Sequence, residues 1–357
     1  MTAPWAATTR WWRHVGGTLL VATANFAVAT ALAGTVALLG LVVEDSLPVT
    51  GQREFSTARV LLLGVALVAL FAAVVWRGSV YRRTGTLFYV RLIDGALSDW
   101  HVALVRVASR RRMSLRSVTR WVDLPSSTRN GTIDLVNTCT EVAAALEAVV
   151  NSDRDDTAYT ISPNMPWPAA VAIGAELPIV DSLRLLELRG RPDSSSDDVA
   201  EISFRLAPPT GDTALPGATT HLTTGSRVGL LLVFTSRGLY PHTVFDGMDV
   251  GEFYKLDPAS LGITRHAGTD LTGAQLAALA QALPPAVAAI KQAARDRELV
   301  IAAALPKTLA MALGWGLAQG QCRFFAGTHL MHCVDNESGR CVPMRVHPAQ
   351  PASSKND

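Results

Sequence analysis

Two long uncharged stretches near the start of the chain constrain it more than anything that follows. No residue between His14 and Glu44 carries a formal charge, and Thr18 to Val43 is almost wholly Leu, Val, Ala, Thr, Gly and Phe. A helix crossing a bilayer needs about 20 such residues. A second run, Val60 to Trp76, is shorter and more strongly apolar, with Trp76 placed for the interfacial belt. A cleaved signal peptide is the competing reading of the first run, with Arg10 and Arg13 as its basic flank. The run is too long for that, and a second span follows at once. The sequence therefore predicts a tail over 1–14, spans over 15–43 and 60–76, and an external loop over 44–59. Arg10 and Arg13 before the first span, and Arg77, Arg82, Arg83 and Arg91 after the second, outweigh Arg53 and Arg59 in the loop. Both termini are expected in the cytoplasm, with the chain a multi-pass protein of the cell membrane.

A formal net charge of +2 argues against long nucleic acid as a partner. The four cysteines, Cys139, Cys322, Cys333 and Cys341, fall in the segment assigned to the cytoplasm, where thiols stay reduced. No disulfide framework is expected. Residues 77–125 read as a basic juxtamembrane connector. Val90, Ile93, Leu97, Trp100, Leu104 and Val107 recur at spacings of three and four, the stripe of one helix face. Arg106, Arg110, Arg111, Arg112, Arg116 and Arg120 follow with no acidic residue among them. They serve either topology alone or a surface that touches anionic lipid or a partner.

From the turn-forming cluster at Pro125 to Gly131 the pattern becomes that of a globular domain, expected over 126–350, with 351–357 a disordered tail. A helix over Ile133 to Val150 precedes a strand at Ala158 to Ser162, then Asn164-Met165-Pro166-Trp167-Pro168, an Ala-rich helix to Leu177 and a strand at Leu183 to Leu188. The order returns later: a helix from Leu271 to Arg295, a strand at Glu298 to Ala303, then Leu305-Pro306-Lys307-Thr308, an Ala/Leu helix to Leu317 and a strand at Cys322 to Phe325. One constant shift superposes Pro166 on Pro306, Ala170 on Ala310, Ala172 on Ala312, Gly174 on Gly314 and Leu177 on Leu317. This predicts an α/β domain of two fused, related Rossmann-like halves. Strands at Val199 to Leu206 and Val228 to Phe234 lie between them, and Asp335 to Arg340 marks a closing hairpin.

In a parallel sheet, ligands meet the carboxyl ends of strands, beside the unpaired N–H groups that open the next helices. That edge collects Asn164 and Trp167, their counterparts Lys307 and Thr308, and Thr235, Ser236 and Arg237 after a third strand. These residues are the expected ligand-binding set, able to hold a phosphate and stack a base. No nucleophile elbow, P-loop or H-E-x-x-H motif occurs, so no catalytic residue, metal site or cofactor is expected. His329, His332, Cys333 and Cys341 match no common zinc spacing.

The stretch Leu299-Val300-Ile301-Ala302-Ala303-Ala304-Leu305-Pro306, with Ala310, Leu313-Gly314 and the hairpin bearing Cys341-Val342-Pro343, resembles the SAVED domain of bacterial anti-phage signalling. The resemblance covers Gly131 to Pro348. It implies a fusion of two CARF-like Rossmann halves that binds a cyclic oligonucleotide, a tri- or tetranucleotide, at the loops Asn164 to Trp167 and Ala304 to Thr308. The family's aromatic residues at the start of the closing hairpin are replaced here by His332, Cys333 and Cys341. A SAVED-like domain behind two spans further implies a CBASS-type effector of the inner membrane that forms homo-oligomers on binding its ligand and disrupts the bilayer. The alternatives are a membrane-anchored Rossmann-like nucleotide-processing enzyme and a lipid-binding structural or signalling partner.

Overall fold

A computed structural model describes residues 5–46, 57–83, 85–93, 97–153, 158–178, 183–190, 199–210, 220–236, 238–265, 269–320, 322–334 and 340–352. The chain divides into two compact units. The first unit holds α1 (Trp5–Ser46) and α2 (Thr57–Arg83), which pack against each other, together with residues 105–115. Their apolar windows, Ala22–Glu44 and Thr57–Val80, have only 6% and 0% of their residues buried, which leaves Phe26, Leu61, Val68 and Phe71 exposed. Side chains this apolar in helices this long suit hydrocarbon and not water. Both helices outrun the expected spans, because helical hydrogen bonding continues into the flanking polar residues.

The second unit carries two sheets. The five-stranded sheet runs β2-β1-β5-β6-β7, with β1 Thr86–Ile93, β2 Ser114–Trp121, β5 Tyr159–Asn164, β6 Arg184–Arg189 and β7 Ala200–Arg205. The eight-stranded sheet runs β3-β4-β13-β12-β11-β9-β10-β8, with β3 Thr128–Arg129, β4 Thr132–Asp134, β8 Thr220–His221, β9 Arg227–Val233, β10 Val250–Leu256, β11 Leu299–Ala304, β12 Thr328–Cys333 and β13 Cys341–Arg345. In each sheet a central strand pairs in parallel with the strand that follows its crossover helix: β5 with β6, and β11 with β12. That strand then turns back into an antiparallel partner, β7 or β13. The neighbour orders β1-β5-β6-β7 and β9-β11-β12-β13 are the same, so the repeat in the sequence is a repeat in the fold.

The two crossover helices, α5 (Trp167–Ala175) and α8 (Lys307–Gln319), pack on each other in the middle of the unit. Pro166 and Pro306 open them with the same backbone, φ −55° and ψ 143° and 141° respectively. Where they cross, a Cβ on Gly174 would lie 2.1 Å from the Met311 carbonyl oxygen, and one on Gly314 would lie 1.9 Å from that of Val171. The shift that relates Gly174 to Gly314 also relates Val171 to Met311. The contact is thus isologous, the geometry of a two-fold dimer interface built inside one chain.

One continuous core surrounds these helices and takes in α4 (Val136–Asn151) and α7 (Gly273–Ala294). α7 is also long and apolar enough to cross a membrane, yet Leu276, Leu279, Leu283, Val287 and Ile290 are fully buried in this core. It starts on a capping box of Thr272 and Gln275. Along β11, Leu299, Ile301 and Ala303 face the main core while Val300 and Ala302 enter a second cluster with Phe245, Met248 and Phe253. Burial on both faces explains the unbroken apolar run.

Three expectations are corrected. The stripe from Val90 to Val107 is not one helix: Val90 and Ile93 lie in β1, and α3 (His101–Arg111) carries Leu104 and Val107. In β1 Leu87, Phe88, Tyr89 and Val90 are all buried, so period two is invisible and an accidental helical spacing takes its place. Residues 77–125 therefore contribute β1 and β2 to a sheet as well as linking it to the spans. The strand expected at Cys322 to Phe325 is a turn, with Gly327 at φ +61°, and the strand begins at Thr328. Finally, Cys333 and Cys341 form a disulfide, because the β12–β13 register sets them directly opposite each other. The hairpin turn itself lies outside the described residues.

Candidate functional site

Four strand ends converge at the carboxyl edge of the two sheets: β5, β6, β9 and β11. Between the last three lies a cavity of about 210 Å³, walled by Glu187, Arg189, Thr235, Ser236, Arg265 and Lys307, with apolar lining from Phe234, Leu271 and Leu305. The amides of Phe234 and Thr235 both donate to the Ala304 carbonyl, at 2.9 and 3.1 Å, which fixes the Thr235–Ser236 turn against the start of α8.

Lys307 is the first residue of α8, and its ammonium donates to Asn164 Oδ1. Burial pushes the Lys307 ammonium below its ordinary range, and the Glu187 carboxylate acts against that shift. Asn164 Nδ2 donates onward to the Tyr89 hydroxyl and to the Ser98 carbonyl, both at 2.9 Å. Tyr89 in turn donates to Asp99 Oδ1 at 3.2 Å, and Arg91 bridges the same carboxylate at 2.7 Å. Asp99 Oδ1 also accepts from the His101 amide at 2.8 Å, at the start of α3. Burial raises the Tyr89 phenol despite bonds from the Trp100 amide and Asn164, so it stays a donor. A continuous polar chain thus runs from the cavity through Asn164 to the head of α3.

The opening turn of α8 already holds an internal anion. Glu187 Oε2 accepts from the Thr308 amide at 3.0 Å and from its hydroxyl at 2.6 Å, and Thr308 has no exposed surface. Thr308 is therefore a cap partner for Glu187 and not a group open to ligand. Trp167 is likewise not an open stacking platform. Its indole is 8% exposed, and Nε1 donates to the Met331 carbonyl at 3.1 Å. Asn164 is 4% exposed and positions Lys307. Of the seven expected residues, Thr235, Ser236 and Lys307 line the cavity, Asn164, Trp167 and Thr308 stand behind it, and Arg237 lies outside the described residues.

Two cations were missing from the expected set. Arg189, at the end of β6, donates to the Leu271 carbonyl at 3.1 Å and sits 3.4 Å from Asp270. Arg265 Nε donates to the Thr269 carbonyl at 2.7 Å. Both are held by main-chain oxygens at the cavity wall, where an anionic ligand would meet them in fixed positions. The position of Arg189 at a strand's carboxyl end was the available signal.

No protein-family profile and no curated protein matches the chain. Solved structures do. The Acinetobacter baumannii Cap4 SAVED/CARF-domain containing receptor, bound to the cyclic trinucleotide 2'3'3'-cAAA, is similar with a TM-score of 0.42 and 11% identity, over 80% of this chain and 60% of that one. A second structure of that receptor gives 0.41 and 10%, over 80% and 58%. This chain spans about 60% of the receptor's length.

A larger groove of about 590 Å³ opens beside Asn130, His242, Asp246, Arg340 and Cys341, and an apolar cavity of about 330 Å³ lies beside Cys322 and Phe325. Neither collects cations at the ends of parallel strands. Among the described residues, no three His, Cys, Asp or Glu side chains gather as metal ligands. His329 is committed to Glu298 at 3.0 Å.

Proposed function

We propose that this chain is a membrane-anchored receptor for a cyclic oligonucleotide, a tri- or tetranucleotide, and that ligand binding gathers its membrane hairpins into assemblies that disrupt the inner membrane. The cavity carries this reading. Arg189, Arg265 and Lys307 surround it, the fixed Thr235–Ser236 turn borders it, and its acidic groups are already engaged, Glu187 by Thr308 and Asp270 by Arg189. At about 210 Å³ it is smaller than the roughly 300 Å³ at which drug-sized pockets begin, so it suits one nucleotide unit of a larger ring. The engaged carboxylates give no support to the nucleotide-processing alternative.

The spans carry no formal charge within Val60 to Trp76 or between His14 and Glu44, so one copy lines no aqueous path. Gly34 has no atom within 4 Å of its would-be Cβ, which leaves a point of close approach on α1 for another copy.

Titration of the purified full-length chain in detergent with cyclic di-, tri- and tetranucleotides tests the reading. Binding of at least one ring is expected, with dye leakage from proteoliposomes only in its presence. If no ring binds, the receptor reading fails. A periplasmic reporter fused within 44–59 is expected to be active, and one fused after Arg83 silent.

A further inference from the structure

Among the described residues, the sheet edges are blunted or covered everywhere but at β2. An open edge presents a row of unpaired N–H and C=O groups to any other strand, so proteins shorten it, cover it or guard it with proline or lysine. β3 and β8, the outer strands of the eight-stranded sheet, are short, two residues each. β7, at one end of the five-stranded sheet, is closed by the start of α7, where a Cβ on Gly273 would lie 2.9 Å from the Ser203 carbonyl oxygen. β2, at the other end, runs eight residues with β1 as its only neighbour among the described strands, and it contains neither proline nor lysine.

The backbone of β2 has a definite open side. The Ser114 amide donates to the Gly85 carbonyl at 3.1 Å, just before β1, so the main-chain groups of Ser114 point toward β1. Alternation then turns those of Leu115, Ser117, Thr119 and Trp121 to the outer edge. The side chains alternate as well. Val118 is buried in the core, and Arg116 and Arg120 lie against α4 and the turn after it, ion-paired to Asp153 at 3.1 Å and to Glu141 at 2.9 Å. Leu115, Ser117, Thr119 and Trp121 face away from α4, and Trp121 is 66% exposed.

The strand is also close to its own mirror image in sequence. About Val118, Ser117 matches Thr119, Arg116 matches Arg120, and Leu115 matches Trp121. Two such strands, antiparallel about a two-fold axis at Val118, bring the matched residues opposite one another. Hydroxyl meets hydroxyl and Leu meets Trp, both favourable cross-strand pairs. Arg opposite Arg would be unfavourable, but each guanidinium already has its own carboxylate. The open groups agree with this axis: Ser117 and the partner's Thr119 form a hydrogen-bonded pair, and the two copies of Val118 a non-hydrogen-bonded one.

We infer that β2 is the seam of a homodimer, in which it pairs antiparallel with β2 of a second copy about Val118 and joins the two five-stranded sheets into one. The seam is independent of the nucleotide ligand, so it stands or falls apart from the receptor reading.

Sedimentation equilibrium of the full-length chain in density-matched detergent, without nucleotide, is expected to give a dimer. Thr119→Pro removes only an outward amide, which an edge strand tolerates, and is expected to give a monomer with unchanged near-UV circular dichroism. A monomeric wild type overturns the inference. So does a dimer that persists in T119P, which would assign association to another surface. Register is read by disulfide formation under mild oxidation, with the wild type and its four cysteines as the control. Val118→Cys is expected to cross-link the dimer, because Cα atoms in a non-hydrogen-bonded pair lie about 4.5 Å apart, within disulfide reach. Thr119→Cys is expected to give no cross-link above the control, since the two copies of that residue are offset along the strands. Any other pattern overturns the seam, and this measurement decides should T119P fail to fold.

Discussion

The two halves of the globular unit begin their central helices at equivalent positions, one with Trp167 and the other with Lys307. Each side chain reaches across to the opposite sheet: the indole to the Met331 carbonyl on β12, the ammonium to Asn164 on β5. One copy of the repeat spent this position on packing, and the other placed a cation at a cavity. The backbones stay superposable because the Gly174 and Gly314 crossing leaves no tolerance, whereas the first helical side chain points away from it and is free to differ. Divergence of function in a duplicated fold is therefore confined to the strand and helix ends.

The severest way to break the equivalence is to remove β1, the counterpart of β9. A fragment starting at Ser126 lacks β1 and β2 and uncovers β5, so it is expected to be insoluble, while one starting at Gly85 yields folded protein by circular dichroism. Good solubility of the shorter fragment would show that β1 is dispensable. Next in size are Gly174→Val and Gly314→Val. Each drives carbon into a carbonyl oxygen of the facing helix and is expected to cost about 3 kcal/mol or more in unfolding free energy. The two losses should match, and a tolerated substitution at either position would contradict the isologous crossing.

A smaller pair of substitutions sharpens the contrast. Trp167→Phe removes a buried donor and is expected to destabilise by about 1–3 kcal/mol without changing ligand affinity. Lys307→Met is expected to shift the melting temperature little, since relief from burying an ammonium offsets the bond lost by Asn164 Oδ1, and to weaken binding of the proposed ligand by about 1.5–3 kcal/mol. The reverse outcome would exchange the roles of the two positions.

The smallest effect is that of pH on the second half. Burial holds His329 below its ordinary 6.5, with the bond to Glu298 opposing. Burial raises Glu298, but bonds from His329 and Arg227 outweigh it and hold the carboxyl below 4.5. Both groups take up protons more readily when unfolded, so stability is full above about pH 6.5 and falls on acidification. His329→Gln is expected to flatten the part of the fall just below pH 6.5 and to reduce, without abolishing, the part below 4.5, because Arg227 still bonds Glu298. A urea midpoint independent of pH from 7 to 4 would contradict both shifts.

Much of this architecture was legible because proline and glycine report backbone geometry directly. Pro166, Pro306, Gly174 and Gly314 in one register disclosed the repeat, and α4, α7 and most central strands followed from their apolar runs. β1 was not legible, because a strand buried on both faces has no alternation to read. Phe324 and Phe325 looked like strand and are instead an edge-on aromatic pair in a turn, with centroids 5.2 Å apart. The site was half legible. Strand ends located Lys307, Thr235 and Ser236 and could have located Arg189, but nothing in sequence distinguishes Arg265 from an ordinary surface charge. Nor does it reveal that Glu187 occupies the opening turn of α8, since only tertiary folding brings β6 beside it.

The crossing of α5 and α8 also has a consequence for how the protein is made. Trp167 through Gly174 are all buried, most of them where α8 will eventually lie. At synthesis rates of about 5–20 residues per second, α5 leaves the ribosome on the order of ten seconds before its partner helix exists. During that interval α5 is an apolar helix without its partner. The first half of the globular unit is thus an obligate client of its own second half, and the nascent chain passes through a stage in which α5 exposes the surface that α8 later covers.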